Sequence, residues 1–169
     1  LKRCTIPSPV TRQEMSYSVM RLMTCLLVDQ EDWAADMVRI LENCFIFSII
    51  WSVGACTDTQ GRATFDAYLR KVLSGDLAAD EAHLDFLSKN RDYNVKRKSA
   101  VPMPEEGLMY DYRFEPKSMA WVEWMNVAAK HAIAADAAFN SIVVPTIDTT
   151  RNEWILTILL TNGFHVMCT

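Results

Sequence analysis

The sequence predicts a mostly α-helical fold with a minor β component. Three observations lead to this prediction: residues 14–28 place apolar side chains at helical spacing, residues 44–56 form a bulky and almost uncharged run, and residues 108–114 alternate along the chain. Helical spacing predicts an amphipathic helix, a run apolar on all sides predicts a buried helix, and alternation predicts a strand. We therefore expect helices to build most of the core.

Two helices are predicted before residue 56. Residues 14–28 carry a helical stripe, and residues 29–32 interrupt it and can cap the helix that follows. The second helix is predicted over residues 33–51, ending near Gly54, with a second half that is apolar nearly all round. Because a bilayer needs about 20 apolar residues, the run from Cys44 to Cys56 predicts a helix inside a larger body. We expect the second half of this helix to pack against apolar surface that this chain alone cannot fully supply.

The middle of the chain predicts an amphipathic helix over residues 62–73, stopped by Gly75 in a left-handed conformation, and a short helix over residues 76–87. Residues 89–104 are expected to form a linker whose basic residues outnumber its one acid, Asp92. Basic runs without interleaved aromatic residues are common at surfaces. A solvated loop is therefore the better interpretation, and contact with nucleic acid or tubulin is the alternative.

Residues 108–114 predict a strand, with Tyr112 and Phe114 on its apolar face and Arg113 on the other. A helix is predicted next, from Trp121 and Trp124 through an alanine-rich stretch that ends at residue 138. Aromatic residues this close together could form a ligand cage. Packing of a strand and a helix against a neighbour is the commoner cause.

The last thirty residues predict a strand, a helix and a second strand. Residues 142–144 are apolar and β-branched, and Pro145 ends this strand. The S/T-x-x-E pattern over residues 150–153 is typical of a capping box, so a helix is predicted to start there. This helix is expected to bury a wide apolar face formed by Trp154, Ile155, Ile158, Leu159 and Leu160. Asn162-Gly163 closes the helix, and residues 164–169 predict a buried strand.

Composition excludes several classes of function. The chain has 169 residues and a formal net charge of −4, which disfavours a general nucleic-acid binder. Its five cysteines form no C-x-x-C pair, so no metal site is predicted, and His165 with Cys168 is more readily explained as a packing histidine and a buried thiol. No arrangement of Ser, Cys, His and Asp has persuasive catalytic spacing. The sequence lacks a secretory signal and begins at Leu1, from which we expect a fragment or a processed piece.

A capped helix followed by a strand is the usual approach to a phosphate-binding loop. That loop has the pattern G-x-x-x-x-G-K-[ST], because glycine amides must surround the phosphates and a lysine must reach them. The pattern does not occur in this sequence. We therefore expect the isolated chain to bind no nucleotide cofactor.

Three blocks carry a resemblance to a known family. They are Phe45–Gly54 followed by Asp58, Gly61-Arg62 and Phe65-Asp66; Pro104–Phe114; and Ile142–Arg151. In this order and spacing they resemble the motor ring of dynein heavy chains. The second block is more similar to the axonemal branch, of cilia and flagella, than to the cytoplasmic branch. Ala55-Cys56 departs from the glycine-rich or serine-containing pair that is often found there.

The resemblance implies a division of the chain into three parts. Residues 1–56 would be the helical lid of the second AAA+ module, residues 57–138 a connector, and residues 139–169 the opening strand, helix and strand of the third, a P-loop α/β module. In that module the segment before the first helix lies along the adenine. The resemblance thus implies that the base of the third site is lined by Val143, Val144, Pro145 and Thr146. The phosphate-binding loop would begin after Thr169.

The resemblance also implies what the parent protein does. It would be an ATP-hydrolysing, minus-end-directed microtubule motor that binds ATP or ADP with Mg, located in the cytoplasm and cytoskeleton and in the axoneme of the cilium or flagellum. Its partners would be neighbouring AAA+ modules, microtubules and other dynein chains, with no nucleic acid and no membrane. The alternative is a free-standing helical protein-interaction module, because the Met-, Ala- and aromatic-rich helices could dock partner helices. An enzyme is the weakest of the three hypotheses.

Overall fold

A computed structural model describes residues 4–28, 36–75, 99–127 and 145–166. The predicted helix over residues 76–87, most of the linker, the alanine-rich stretch and the strand over residues 142–144 lie outside these ranges. The proposed cap at residues 29–32 and Cys168 lie outside them as well. The described elements are mostly helical, with one two-stranded sheet, which confirms the predicted fold class.

Three long helices form the first half of the described structure. They are α1 (Arg12–Val28), α2 (Met37–Ser52) and α3 (Thr59–Ser74), and a short 3-10 turn (Gly54–Cys56) joins the last two. Asp58 caps α3, since its carboxylate accepts from the Gly61 amide at 2.7 Å. Gly75 ends α3 with φ of 81°, the left-handed conformation predicted for it.

Helix α2 forms the centre of the core, as its composition predicts. The side chains of Phe47 and Ile50 are fully buried, and α1 packs along α2. The second half of α2 is covered mostly by the chain itself, so the expected shortage of apolar cover is confined to Phe45, which is 46% exposed. The first half carries further exposed apolar side chains at Met37 and Val38.

Residues 37–56 are long and apolar enough to qualify as a membrane span by length and composition. The apolar segment is therefore longer than the run over residues 44–56 from which the sequence analysis judged its length. Half of this window is buried within the protein, and the core helix of a soluble protein passes the same test. Burial of the polar side chains of Asn43 and Ser48 beside Phe47 shows that α2 packs inside the protein fold.

The predicted strand over residues 108–114 is a 3-10 turn followed by a shorter strand. The Asp111 carboxylate accepts from the Leu108 amide at 2.8 Å, which bends the chain over Met109–Asp111. Strand β1 (Tyr112–Glu115) then pairs antiparallel with β2 (Ala120–Glu123), and Phe114 lies opposite Trp121. The predicted helical position of Trp121 was wrong, because this cross-strand pair places it in β2. The following helix, α4 (Trp124–Val127), begins only at Trp124.

The last described helix, α5, spans Ile147–Thr161. The predicted capping box at Thr150 was wrong, because Thr146 caps the helix and Thr150 lies in its first turn. The predicted buried face is only partly buried: Trp154, Ile155, Ile158 and Leu159 pack against the core, whereas Leu160 is 59% exposed and no residue of α5 is fully buried by the described part of the chain.

The predicted buried strand is absent from residues 164–166, the part of it that the structure describes. Gly163 has φ of 76°, and the Phe164 amide donates to the Leu159 carbonyl at 3.0 Å. The Phe164 amide therefore completes the end of α5 and is not available to a sheet. His165 and Val166 are exposed.

Candidate functional site

The predicted nucleotide-lining segment falls partly inside the described structure. Val143 and Val144 lie outside it, whereas Pro145 is half-buried and Thr146 is exposed. Thr146 is the N-cap of α5: its hydroxyl accepts from the Thr149 amide at 3.2 Å, and its own amide donates to the Thr149 hydroxyl at 2.8 Å. Thr146 is therefore joined to the first turn of α5 by reciprocal hydrogen bonds, and its position follows that of the helix.

Helix α5 is attached to the core by aromatic rings. The indole of Trp154 packs edge-on against Phe47 of α2 and against Trp124 of α4, with ring centroids 5.7 and 5.5 Å apart. Trp51 of α2 continues the cluster, 6.1 Å from Trp124 and 5.9 Å from Tyr110. The candidate ligand cage is therefore occupied by its own side chains, which supports packing as the explanation of the aromatic-rich sequence.

Two arginines cover this aromatic cluster. The Arg113 guanidinium lies 4.9 Å from the centroid of the Trp154 ring and pairs with Glu115 at 2.8 Å. The Arg151 guanidinium lies 5.5 Å from the centroid of Trp51, and Arg151 also pairs with Asp148 one turn back on α5. A planar guanidinium favours the face of an aromatic ring, so both arginines add attraction to the contact between α5 and the core.

A third arginine reaches the other side of the cluster. Arg62 of α3 lies 5.6 Å from the centroid of Tyr110. Burial raises the pKa of Tyr110, which keeps the phenol neutral in the physiological range. The Cβ that Gly54 lacks would stand only 2.3 Å from the Tyr110 hydroxyl. The glycine of the first resemblance block is thus needed for space, because Tyr110 packs against its backbone.

A carboxylate ties α3 to the segment before the hairpin. Asp66 is buried, and it accepts from the Met109 amide at 2.8 Å and from Arg70 Nε at 2.9 Å. Arg70 in turn donates to the carbonyls of Pro104 and Gly107. The first two resemblance blocks are therefore in direct contact, through Asp66 of one and residues 104–109 of the other.

A cavity of about 170 Å³ lies between α1, α2, β1 and α5. Its lining includes Cys25 and Cys44 on one side, and Arg113 and Trp154 on the other. Burial raises the pKa of Cys44 to about 11, so its sulfur is a neutral thiol and a poor nucleophile at physiological pH. Among the described residues, no three His, Cys, Asp or Glu side chains are placed to hold a metal ion.

Two family descriptions match the chain in succession. "Dynein heavy chain AAA lid domain" matches residues 1–126, and "P-loop containing dynein motor region" matches residues 131–169. The chain belongs to the dynein heavy chain family. The recognition from three sequence blocks is thereby confirmed.

The similar dynein heavy chains include axonemal proteins. The chain is 34% identical over 148 residues to human dynein axonemal heavy chain 1, which covers 78% of this chain. It is 37% identical over 122 residues, 70% of its length, to mouse dynein axonemal heavy chain 12. It is 29% identical over 159 residues, 92% of its length, to the dynein-1-alpha heavy chain of the flagellar inner arm I1 complex of Chlamydomonas reinhardtii. The chain spans only 3% to 4% of the length of these relatives.

Sequence reasoning missed the contacts that hold α5 in this dynein heavy chain segment. Arg151 was noted as the last residue of the third block, and Trp154 as part of an apolar face. Their partners, Trp51 and Trp124, are distant in sequence, and only the fold brings them together. The sequence feature that could have indicated these contacts is the spacing of Arg151 and Trp154, since residues three apart share one face of a helix.

Proposed function

We propose that this chain couples two adjacent AAA+ modules within an ATP-driven, minus-end-directed microtubule motor of cilia or flagella. The lid match over residues 1–126 and the P-loop motor match over residues 131–169 support it. The observation that carries the proposal is the packing of α5, which follows the start of the second match, on α2, which lies within the first. A displacement of one matched region would be transmitted to the other through this contact.

The second part of the proposal concerns the nucleotide. Residues Val143, Val144, Pro145 and Thr146 would line the adenine of the third site, with ATP or ADP and Mg bound by the complete heavy chain. A half-buried proline and an exposed threonine at the start of α5 fit this role, because an apolar strip can stack on a purine. The division into residues 1–56, 57–138 and 139–169 belongs to the same proposal, with the connector packed onto the helices before it.

Photo-crosslinking tests the proposed pocket. In the full-length heavy chain, an 8-azidoadenine nucleotide should label a peptide that contains residues 143–146, and excess ATP should suppress the label. Mass spectrometry identifies the modified peptide. Labelling elsewhere in the ring but never at these residues would overturn the adenine role while leaving the coupling role intact.

The chain by itself should be inactive. It contains no G-x-x-x-x-G-K-[ST] pattern, and a nucleotide held by the adenine strip alone would lack its phosphate contacts. We expect titration calorimetry of the isolated chain with Mg-ATP to show no binding at micromolar concentrations and to detect no hydrolysis. A micromolar dissociation constant would contradict this part of the proposal.

A helical interaction module remains the second candidate, and one observation favours it. Apolar side chains are exposed on the outer surfaces of α1 and α2, at Met20, Val38 and Phe45 among others. In a motor ring, a neighbouring module would cover them. In a free-standing module, they would bind a partner helix.

A further inference from the structure

Helix α5 is fastened to α2 at two points one turn apart. Arg151 stacks on Trp51, and Trp154 packs against Phe47. Because the two α5 residues are three apart, they project from the same face of the helix. A helix held at two points along one face is fixed both in its rotation and in its position along the axis.

The Arg151 contact is sensitive to the shape of its side chain as well as to its charge. Its side chain is only 14% exposed, and the ion pair with Asp148 orients the guanidinium over Trp51. A lysine could keep the charge and the pair, but it has no planar group to stack on the indole. Arg151→Lys therefore separates stacking from charge.

The Trp154 contact joins α5 to several elements at once. Its ring meets Phe47 of α2 and Trp124 of α4, and Arg113 of β1 lies over its face. A shift of α5 would disrupt all of these contacts together. Thr146, which is the N-cap of α5 and one of the residues that we propose line the adenine, would move with the helix.

We propose that Arg151 and Trp154 are positioning residues that set the nucleotide affinity of the third site from the lid of the preceding module. This inference rests on the proposed function, because it assumes that residues 143–146 contact the adenine. Neither side chain needs to touch the nucleotide. By reciprocity, nucleotide bound at that segment stabilises the contact of α5 with α2 to the same extent.

The first experiment is a titration of the photo-crosslinking in the full-length heavy chain. Arg151→Lys should raise the concentration of 8-azidoadenine nucleotide needed for half-maximal labelling of residues 143–146 by about fivefold to tenfold. Arg39→Lys is the matched control, since Arg39 forms an i,i+3 pair with Asp36 at 3.4 Å, with both side chains largely exposed. The control should leave the titration unchanged.

Substitutions of increasing severity at Trp154 test the same contact between α5 and the core. Trp154→Phe keeps an aromatic ring and should weaken labelling less than Arg151→Lys does, whereas Trp154→Ala should weaken it most. If the alanine variant does not fold, Trp154→Phe and Arg151→Lys still decide the matter. Unchanged half-saturation in both of these would overturn the positioning role.

Hydrogen exchange provides a second measurement, because a merely structural role of Arg151 would not alter the effect of nucleotide on amide exchange. In the wild-type heavy chain, nucleotide should slow amide exchange over residues 45–52 of α2, and Arg151→Lys should abolish that nucleotide-dependent slowing. An equal response in wild type and variant would overturn the inference. If wild-type protein shows no labelling of residues 143–146 at all, the proposed adenine role has failed instead, so the two failures are distinguishable.

Discussion

At the scale of single residues, burial decides which cysteines can react. Cys44 is 1% exposed, and burial raises its pKa to about 11, so at pH 8 about one molecule in a thousand carries the thiolate. We predict that Cys44 is alkylated far more slowly than the partly exposed Cys4 in the folded chain. Mass spectrometry after timed N-ethylmaleimide treatment measures both rates, and urea should equalise them. Equal rates without urea would contradict the prediction.

The space beside Gly54 gives a second prediction for one residue. An added Cβ would lie 2.3 Å from the Tyr110 hydroxyl and 2.7 Å from the Phe65 ring. Both distances are shorter than a Cβ atom can normally approach, so neighbouring atoms would have to shift. Gly54→Ala should therefore lower the free energy of unfolding by about 1–3 kcal/mol through overpacking. Denaturant titration measures the change. Ala67→Ser, on the exposed side of α3, is the control and should shift the value by less than about 0.5 kcal/mol.

The residues of the candidate site were only partly predictable from the sequence. Thr146 was identified through the family resemblance, and the structure places it at the start of α5. The stacking of Arg151 on Trp51 was not predicted, because no local pattern states which ring a guanidinium will meet. Such a contact depends on how α2 and α5 pack, which is a property of the tertiary fold.

At the scale of elements, the long helices were predictable and the short elements were not. Periodicity identified α1, α2 and α3 because each is long enough for its stripe to repeat. The i,i+3 spacing of Trp121 and Trp124 also fitted a helix, but pairing of Trp121 with Phe114 decides that residue 121 lies in a strand. A two-stranded sheet depends on such long-range pairs, which local spacing does not reveal.

The residue at which a helix starts is also difficult to predict from the local sequence. The S/T-x-x-E pattern occurs at Thr11–Glu14 and at Thr150–Glu153, and the structure uses only the first as a capping box. At α5, Thr146 follows a proline and caps the helix four residues earlier, which places Thr150 inside it. A capping pattern therefore identifies a possible start, and the preceding residues decide whether the chain has already become helical.

The capping box of α1 predicts a pH dependence. Glu14 accepts from the Thr11 amide at 2.7 Å, and this bond lowers the pKa of Glu14. A lowered folded-state pKa gives stabilisation that is present above the unfolded value, about 4.3, and that is lost as the pH falls through the folded value. We predict that amide exchange at the start of α1, corrected for the intrinsic pH effect, accelerates in this acid range. Glu14→Gln should remove this dependence, and an unchanged dependence would contradict the role of the box.

The contact of α3 with residues 104–109 depends on Asp66. Asp66→Ala would leave Arg70 without its carboxylate and the buried Met109 amide without an acceptor. We expect a loss of about 3 kcal/mol in the free energy of unfolding, and a smaller loss for Asp66→Asn, which keeps an acceptor oxygen. Denaturant titration of both variants tests this order. A loss as large for asparagine as for alanine would show that the charge, and not the hydrogen bond, holds the element.

At the scale of the whole molecule, the distribution of apolar surface separates the two proposed functions. Val38 and Phe45 lie seven residues apart on one side of α2 and are 59% and 46% exposed. Side chains this large, left uncovered together, are typical of an interface. If the chain is a segment of a motor ring, the isolated chain should self-associate through this exposed apolar surface. If it is a free-standing module, the isolated chain should remain a monomer.

We predict that the isolated chain binds a hydrophobic dye and self-associates through this side of α2, because water is a poor solvent for the exposed rings and methyl groups. Replacing Val38 and Phe45 together by lysine should reduce dye fluorescence and shift size-exclusion chromatography toward the monomer. Tyr68→Lys is the control, since Tyr68 is also 46% exposed but lies on α3. A monodisperse wild-type monomer that binds no dye would favour a self-contained module. Equal effects of the control and the double variant would show that the association does not depend on α2.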